Sequence, residues 1–238
     1  MIHRILFSGT ALLALTAIAA PALAQKAPST DDEKTLYALG LSVARSLESF
    51  QLTPAELEFV VAGLRDELGD EEPKVSLDDF GPRIRTLAEA RTKAAAAEER
   101  AAGQEFLAKE AAVSGAVKTE SGLVKRVIEK GDGASPKSND MVKVNYKGTL
   151  RDGTVFDSSE KHGEPAQFRL GGVIPCWTEA LQTMKVGEKA HITCPADLAY
   201  GDRGFPGTIP PGSTLAFDVE LLEILDPATA PPPPPGHP

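Results

Sequence analysis

Near Thr119 the spacing of apolar residues changes from threes and fours to strict alternation, so one chain must build two kinds of scaffold. Upstream, in DDEKTLYALGLSVARSLESF, residues Leu36, Leu39, Val43 and Leu47 recur at the interval of one helical face. LTPAELEFVVAGLRDEL follows, with Thr53 placed to cap a second helix and Pro54 at its first position. A third helix, capped by Ser76 or Asp78, is predicted to contain RIRTLAEARTKAAAAEERAAGQEFLAKEAA, a stretch of high helical propensity. Unbroken from residue 78 to 113 it would run about 50 Å. Two short helices cannot cover that length, and its own apolar positions are few. Two readings stay open. The long helix is a solvated spacer, or the short amphipathic helices pair with a second copy of the chain, as uncovered apolar faces do in symmetric dimers.

Downstream the period is two. In MVKVNYKGTL, Val142, Val144 and Tyr146 share one strand face, while Lys143, Asn145 and Lys147 take the other. KAHITCP repeats the pattern with Ala190, Ile192 and Cys194, and TLAFDVELLEI with Leu215, Phe217, Val219 and Leu221. Gly-rich turns (RDG, LGG, KVGE) separate these runs, and WTEALQTM, 177–184, is the only helical pattern among them. The expected fold class is α+β: a curved antiparallel sheet wrapped on one short helix, preceded by an all-α region with a long linking helix.

The two ends stand apart. MIHRILFSGTALLALTAIAAPALAQ opens on His3 and Arg4, continues through an apolar run, and closes on Ala22-Leu23-Ala24, the pattern of a cleavable export signal. The run is too short for a membrane span, although a retained anchor is the alternative. Cleavage after Ala24 would release the mature chain to the periplasm or beyond. At the other end, PATAPPPPPGHP favours an extended, hydrated polyproline conformation and cannot pack. It reads as a disordered tail, with a docking peptide as the rival. The expected organisation is a signal over 1–24, a helical region over 25–117, a sheet domain over 118–226 and a tail over 227–238. The net charge of −9, which includes the leader's Arg4, disfavours nucleic acid and anionic lipid as partners.

Cys176 and Cys194 are the two cysteines. They form no C-x-x-C pair and have no histidine at zinc-finger spacing. In an oxidising compartment an even pair suggests one disulfide, against two buried thiols. Thiol–disulfide exchange as the main function is poorly supported by this spacing.

Residues 122–226 resemble the FKBP-type peptidyl-prolyl cis-trans isomerases. The resemblance runs through VNYKGTLRDGTVFDSS, VIPCWTEAL, MKVGEKAHITCPADLAYGDRG and TIPPGSTLAFDVELL, several spaced motifs in the family's order. The helical first half, notably YALGLSVARSL, is similar to the dimerisation domain of the Mip-like exported members. Carried over by position, the resemblance places Tyr146, Phe156, Asp157, Val173, Ile174, Trp177, Tyr200 and Phe217 at a catalytic pocket, with Phe168, Phe205 and Ile209 as substrate contacts. It makes Trp177 the floor, and the Ile174 N–H and Tyr200 hydroxyl the donors to a bound peptide. It implies unfolded proline-containing polypeptides as substrates, a homodimer through the N-terminal helices, macrolide inhibitors as ligands, and neither cofactor nor metal.

The chemistry suits such a pocket. Rotation about an Xaa-Pro amide is opposed by about 18–20 kcal/mol because resonance is lost as the bond twists. A twisted amide has less charge separation than a planar one and is favoured in an apolar cleft. An acceleration of about 10⁴ needs only roughly 5–6 kcal/mol of preferential binding. No nucleophile or proton shuttle is demanded. Asp157 is therefore read as a hydrogen-bond acceptor for pocket hydroxyls, Tyr146 above all. General acid–base catalysis, which calls for a second titrating group at the site, is the competing role.

Departures from the family pattern are Ala166, where many members carry a second pocket Phe, and His162, where an Arg often lies near the Asp. Cys176 replaces a Gly, and the 171–173 turn is short. Ala166 opens one wall, which weighs against macrolide binding and favours the main rival function, a holdase that grips proline-containing chains without turnover. His162 is expected to be an exposed loop side chain without a role.

Overall fold

The computed structural model describes residues 27–69 and 71–225. The export signal, its cleavage after Ala24 and the proline-rich tail lie outside the described residues. By internal contacts the described residues fall into two compact units, divided between Leu41 and Ser42.

Local signals fix the helix starts. Helix α1 (Asp31–Ser46) begins with a reciprocal cap. The Glu33 carboxylate accepts from the Thr30 amide at 3.0 Å, and Thr30 Oγ1 accepts from the Glu33 amide at 3.1 Å. Helix α2 (Pro54–Leu68) repeats the device with Thr53 and Glu56, and Pro54 occupies its first position. Arg91 donates to the carboxylate of Glu56, at 3.1 Å to Oε2, and to the Phe50 carbonyl at 2.8 Å. Helix α3 (Leu77–Ala111) is capped by Ser76, whose Oγ accepts from the Asp78 and Asp79 amides. No side chain of α1 or α2 is buried. Among the described residues no helix is long and apolar enough to cross a membrane.

The rest is one seven-stranded sheet, antiparallel throughout, in the order β1-β2-β6-β7-β3-β4 with β5 beside β3. Its strands are β1 (Ala116–Lys118), β2 (Val124–Glu129), β3 (Met141–Leu150), β4 (Val155–Ser158), β5 (Ala166–Arg169), β6 (Lys189–Cys194) and β7 (Leu215–Leu225). The alternating sets behave as one face: Val142, Val144 and Tyr146, then Ala190, Ile192 and Cys194, then Leu215, Phe217, Val219 and Leu221, are all buried. They pack on Cys176, Trp177, Ala180 and Leu181 of the short helix α5 (Pro175–Gln182). Register shifts in β2–β6, β3–β4 and β3–β7 interrupt the ladders, and such bulges bend the strands that carry them. A disulfide joins Cys176 on α5 to Cys194 at the end of β6, with the Cα atoms 5.8 Å apart.

Two expectations need correction. Helix α5 starts two residues earlier than WTEALQTM, because Pro175 is pre-set for a first helical position, and it ends at Gln182. It is also not the one helix among the strands. Ser159–His162 forms a single turn, α4, whose Lys161 amide is capped by the Ser158 hydroxyl; one turn is too short to show any period.

The spacer reading of α3 fails for its C-terminal half. Ala96, Gly103 and Leu107 are buried. A Cβ added at Gly103 would lie 2.2 Å from Thr214 Oγ1, and one at Gly212 would lie 2.4 Å from the Ala96 carbonyl oxygen. The helix backbone thus lies directly on the segment leading into β7. Polar contacts flank this seam: Arg151 pairs with Glu99 at 2.8 Å, and His191 lies between Asp218 and Glu110 at 2.7 and 3.5 Å.

Candidate active site

The sheet brings distant aromatic residues together. Tyr146 projects from β3, Phe156 and Asp157 from β4, Phe168 from β5 and Phe217 from β7, while Trp177 rises from the first turn of α5. Val173 and Ile174 form the approach to that helix. Tyr200, Phe205 and Ile209 come from the long connection between β6 and β7. All of these line one cavity of about 230 Å³, together with His162 and Thr208.

Its geometry is a floor with upright walls. The rings of Tyr146, Phe168 and Phe217 stand at 84°, 90° and 81° to the Trp177 indole, with centroids 5.3, 5.5 and 5.3 Å away. Phe156 meets Phe217 edge-on at 5.6 Å. These perpendicular pairings are favoured by the ring quadrupoles and hold an apolar hollow open. The indole N–H of Trp177, although buried, meets no acceptor among the described residues. Gly148 makes the wall possible, since a Cβ there would lie 2.6 Å from Phe156 Cζ and 2.9 Å from Phe217 Cε1. That glycine escaped the sequence reading, although a glycine within an alternating strand run is a signal for close approach.

Asp157 has both oxygens engaged. Oδ2 accepts from the Tyr146 hydroxyl, and Oδ1 from the Ser158 amide at 2.9 Å and His162 Nε2 at 3.2 Å. Burial pushes the carboxyl upward, but the hydrogen bonds from Tyr146, His162 and Ser158 outweigh it and hold it below the ordinary carboxylate range. Burial, reinforced by the Asp157 charge, raises the Tyr146 phenol. Tyr200 is raised by burial first and by the Asp157 charge second, without the hydrogen bond to that carboxylate which Tyr146 makes. The site thus holds an ionised carboxylate and two neutral phenols at neutral pH. His162, expected to be an idle loop residue, instead lines the cavity and holds Asp157. The one-turn helix α4 carries it there, and the position of His162, where the family often has an Arg near the Asp, was the available signal.

Two donors face no partner. Among the described residues, neither the Ile174 amide nor the Tyr200 hydroxyl meets an acceptor. Among the described residues, no carboxylate besides Asp157 lines the cavity. Among the described residues no cluster of three or more His, Cys, Asp or Glu could hold a metal ion. Ala166 pairs with Val144 and packs at the edge of the core, outside the cavity lining.

The chain as a whole is similar to known proteins. Residues 133–222 match the family described as FKBP-type peptidyl-prolyl cis-trans isomerase, and residues 32–127 the domain amino terminal to it. The chain is 44% identical over 206 residues to FkpA of Escherichia coli, an FKBP-type peptidyl-prolyl cis-trans isomerase, covering 82% of this chain and 76% of that one. The chain belongs to the FKBP-type peptidyl-prolyl cis-trans isomerases. It is also 37% identical to the outer membrane protein MIP of Legionella longbeachae, over 82% of this chain and 87% of that protein. The crystal structure of E. coli FkpA superposes with a TM-score of 0.63 at 42% identity, covering 82% of this chain and 97% of that one. The α+β architecture of this FKBP-type chain, helices first and antiparallel sheet second, is that of its relative.

Proposed function

We propose that the aromatic cavity catalyses cis–trans isomerisation of Xaa-Pro bonds by binding the amide best in its twisted geometry. The prolyl ring enters the hollow over Trp177, and the rings around it exclude water from the rotating bond. Loss of amide resonance lowers the charge separation of the C–N bond, so the apolar walls favour the twisted form over the planar one. The Ile174 amide and Tyr200 hydroxyl donate to carbonyl oxygens of the peptide and fix its path. Asp157, already holding Tyr146 and His162, sets the direction of local dipoles and moves no proton. Tyr146, Phe156, Val173 and Phe217 complete the catalytic wall, while Phe168, Phe205 and Ile209 contact the substrate.

The observation that carries this reading is the pairing of an apolar, ring-walled hollow with donors that have no partner among the described residues. A ligand with a small apolar ring between two carbonyls fits that pairing, and an Xaa-Pro segment is such a ligand. The decisive experiment follows turnover of a short Xaa-Pro peptide by protease coupling or NMR exchange. Acceleration supports the proposal, and an unchanged isomerisation rate at high enzyme concentration rejects it.

In the same reading, residues 25–117 form the dimerisation region and 118–226 the isomerase domain. The mature chain acts on unfolded exported proteins in the periplasm, where the Cys176–Cys194 disulfide is maintained. The apolar positions of α1 and α2 pair with those of a second copy, so that linked pockets raise the apparent affinity for long clients. Sedimentation of the chain with and without residues 25–75 tests the dimer; a monomer in both cases ends it.

A further inference from the structure

One wall of the cavity lacks the support of the sheet. Tyr200, Phe205, Thr208 and Ile209 all come from the connection between β6 and β7. This connection has 3₁₀ turns at Ala196–Leu198 and Gly201–Arg203 and a single bridge between Phe205 and Ile209. Its ties to the rest of the molecule therefore decide where the Tyr200 hydroxyl points.

The strongest tie comes from outside the sheet domain. Arg100, on the buried side of α3, donates through Nη2 to Asp197 Oδ1 and through Nε to Asp202 Oδ1, each at 2.5 Å. Asp197 precedes Tyr200 and Asp202 follows it, so one planar guanidinium grips the chain on both sides of the tyrosine. A second tie comes from the helical region, where Glu48 Oε2 accepts from the Gly207 amide at 2.6 Å. The close approach of Ala96 to Gly212 keeps α3 at contact distance from the same segment.

The exposure of the partners shows what this grip does. Asp197 and Asp202 are 75% and 65% exposed at the side chain, and ion pairs at such positions add little to stability. A bidentate arginine fork fixes direction as well as distance. Its main consequence is the order of the segment it spans.

We propose that Arg100 is a positioning residue for isomerisation, holding Tyr200 where its hydroxyl meets the substrate carbonyl. The inference rests on the isomerase reading above and assigns to the helical region a part in the site itself. Arg100 acts through Tyr200, so removing the fork costs turnover only while the hydroxyl is present. Lysine cannot replace it, because a single ammonium cannot span both carboxylates in one plane.

The test uses the full mature chain and begins with the unsubstituted protein. Arg100→Ala and Arg100→Lys are each expected to lower kcat/KM about threefold to tenfold, the loss falling mainly on kcat, with the urea midpoint unchanged. In a Tyr200→Phe background the same Arg100 substitutions are expected to have almost no further effect. Amide hydrogen exchange at Phe205 and Gly212 should quicken in both Arg100 variants. Asp202→Asn supplies a second approach to the same fork and should reproduce these changes in part. Arg151→Ala, which breaks the neighbouring pair to Glu99, should leave turnover as it is. Normal kcat/KM in Arg100→Ala, or an equal loss with and without the Tyr200 hydroxyl, overturns the proposal while the isomerase reading stands. Absence of turnover in the unsubstituted chain overturns that reading first, and this one with it.

Discussion

Helices α1 and α2 and the sheet domain are built from similar apolar residues, yet they use them in opposite ways. Val142, Leu181, Ile192 and Leu215 are 0% exposed, whereas Leu36, Phe59 and Leu68 stand 67%, 80% and 85% exposed. The sheet closes its apolar face on α5, and the core is complete within one chain. The first two helices have apolar faces of the right period, and among the described residues none of their side chains is buried. Periodicity tells which face is apolar; it does not tell what covers it. Large apolar side chains exposed at helical spacing are the physical ground for the proposed pairing of two copies.

The contrast is sharpest at single leucines. Truncating Leu181 to Ala in the core should lower the unfolding free energy by roughly 2–5 kcal/mol. Truncating Leu68 should cost no more than about 0.5 kcal/mol in dilute, monomeric protein. Urea titrations of both variants check this, and equal losses would break the distinction. The disulfide is the next largest effect. It closes a loop with a sequence separation of 18 inside the core domain, and Cys176→Ser with Cys194→Ser should cost about 3 kcal/mol. The loss should appear in the cooperative unfolding of the sheet, with the helicity of α1 unaltered.

Within the pocket, Asp157→Ala should reduce kcat/KM by about tenfold to a hundredfold, the range for losing hydrogen bonds to a charged partner. Unchanged turnover would remove Asp157 from the site. On the helical side, Leu36→Ser with Leu39→Ser should weaken self-association by at least about tenfold, given the apolar area each leucine would bury. Sedimentation reads that directly. The smallest effect belongs to Glu56, which the hydrogen bond from Arg91, with further help from Thr53, lowers to about 2. A carboxyl lowered on folding stabilises above its unfolded value of about 4.3, and that contribution is lost as the pH falls toward the folded value. Acid titration by circular dichroism should therefore show Glu56→Gln differing from the parent at neutral pH and converging with it near the lower value.

How much was legible in the sequence follows the same division. The strands were readable because bulky residues at alternate positions share one face, which turns Tyr146 and Phe217 inward; the other cavity residues were legible only through the family resemblance. The caps at Thr53 and Ser76 were readable because capping is a local transaction between neighbours. The packing of α3 was not, because Ala96 and Gly103 make contact by being small and leave no hydrophobic period. Arg100 was equally silent, since its partners lie about a hundred positions away and an arginine on a charged helix looks solvated. His162 was misjudged because a single helical turn decided where it points.

The central claim is that the pocket turns a prolyl bond by shape and low polarity, with no proton in flight. Comparing kcat/KM for one Xaa-Pro peptide in H₂O and in D₂O puts it to the test. Equal values are expected, since Asp157 stays ionised and both of its oxygens remain occupied throughout. A clearly slower reaction in D₂O, abolished in Asp157→Ala, would contradict the account and make that carboxylate an acid–base catalyst.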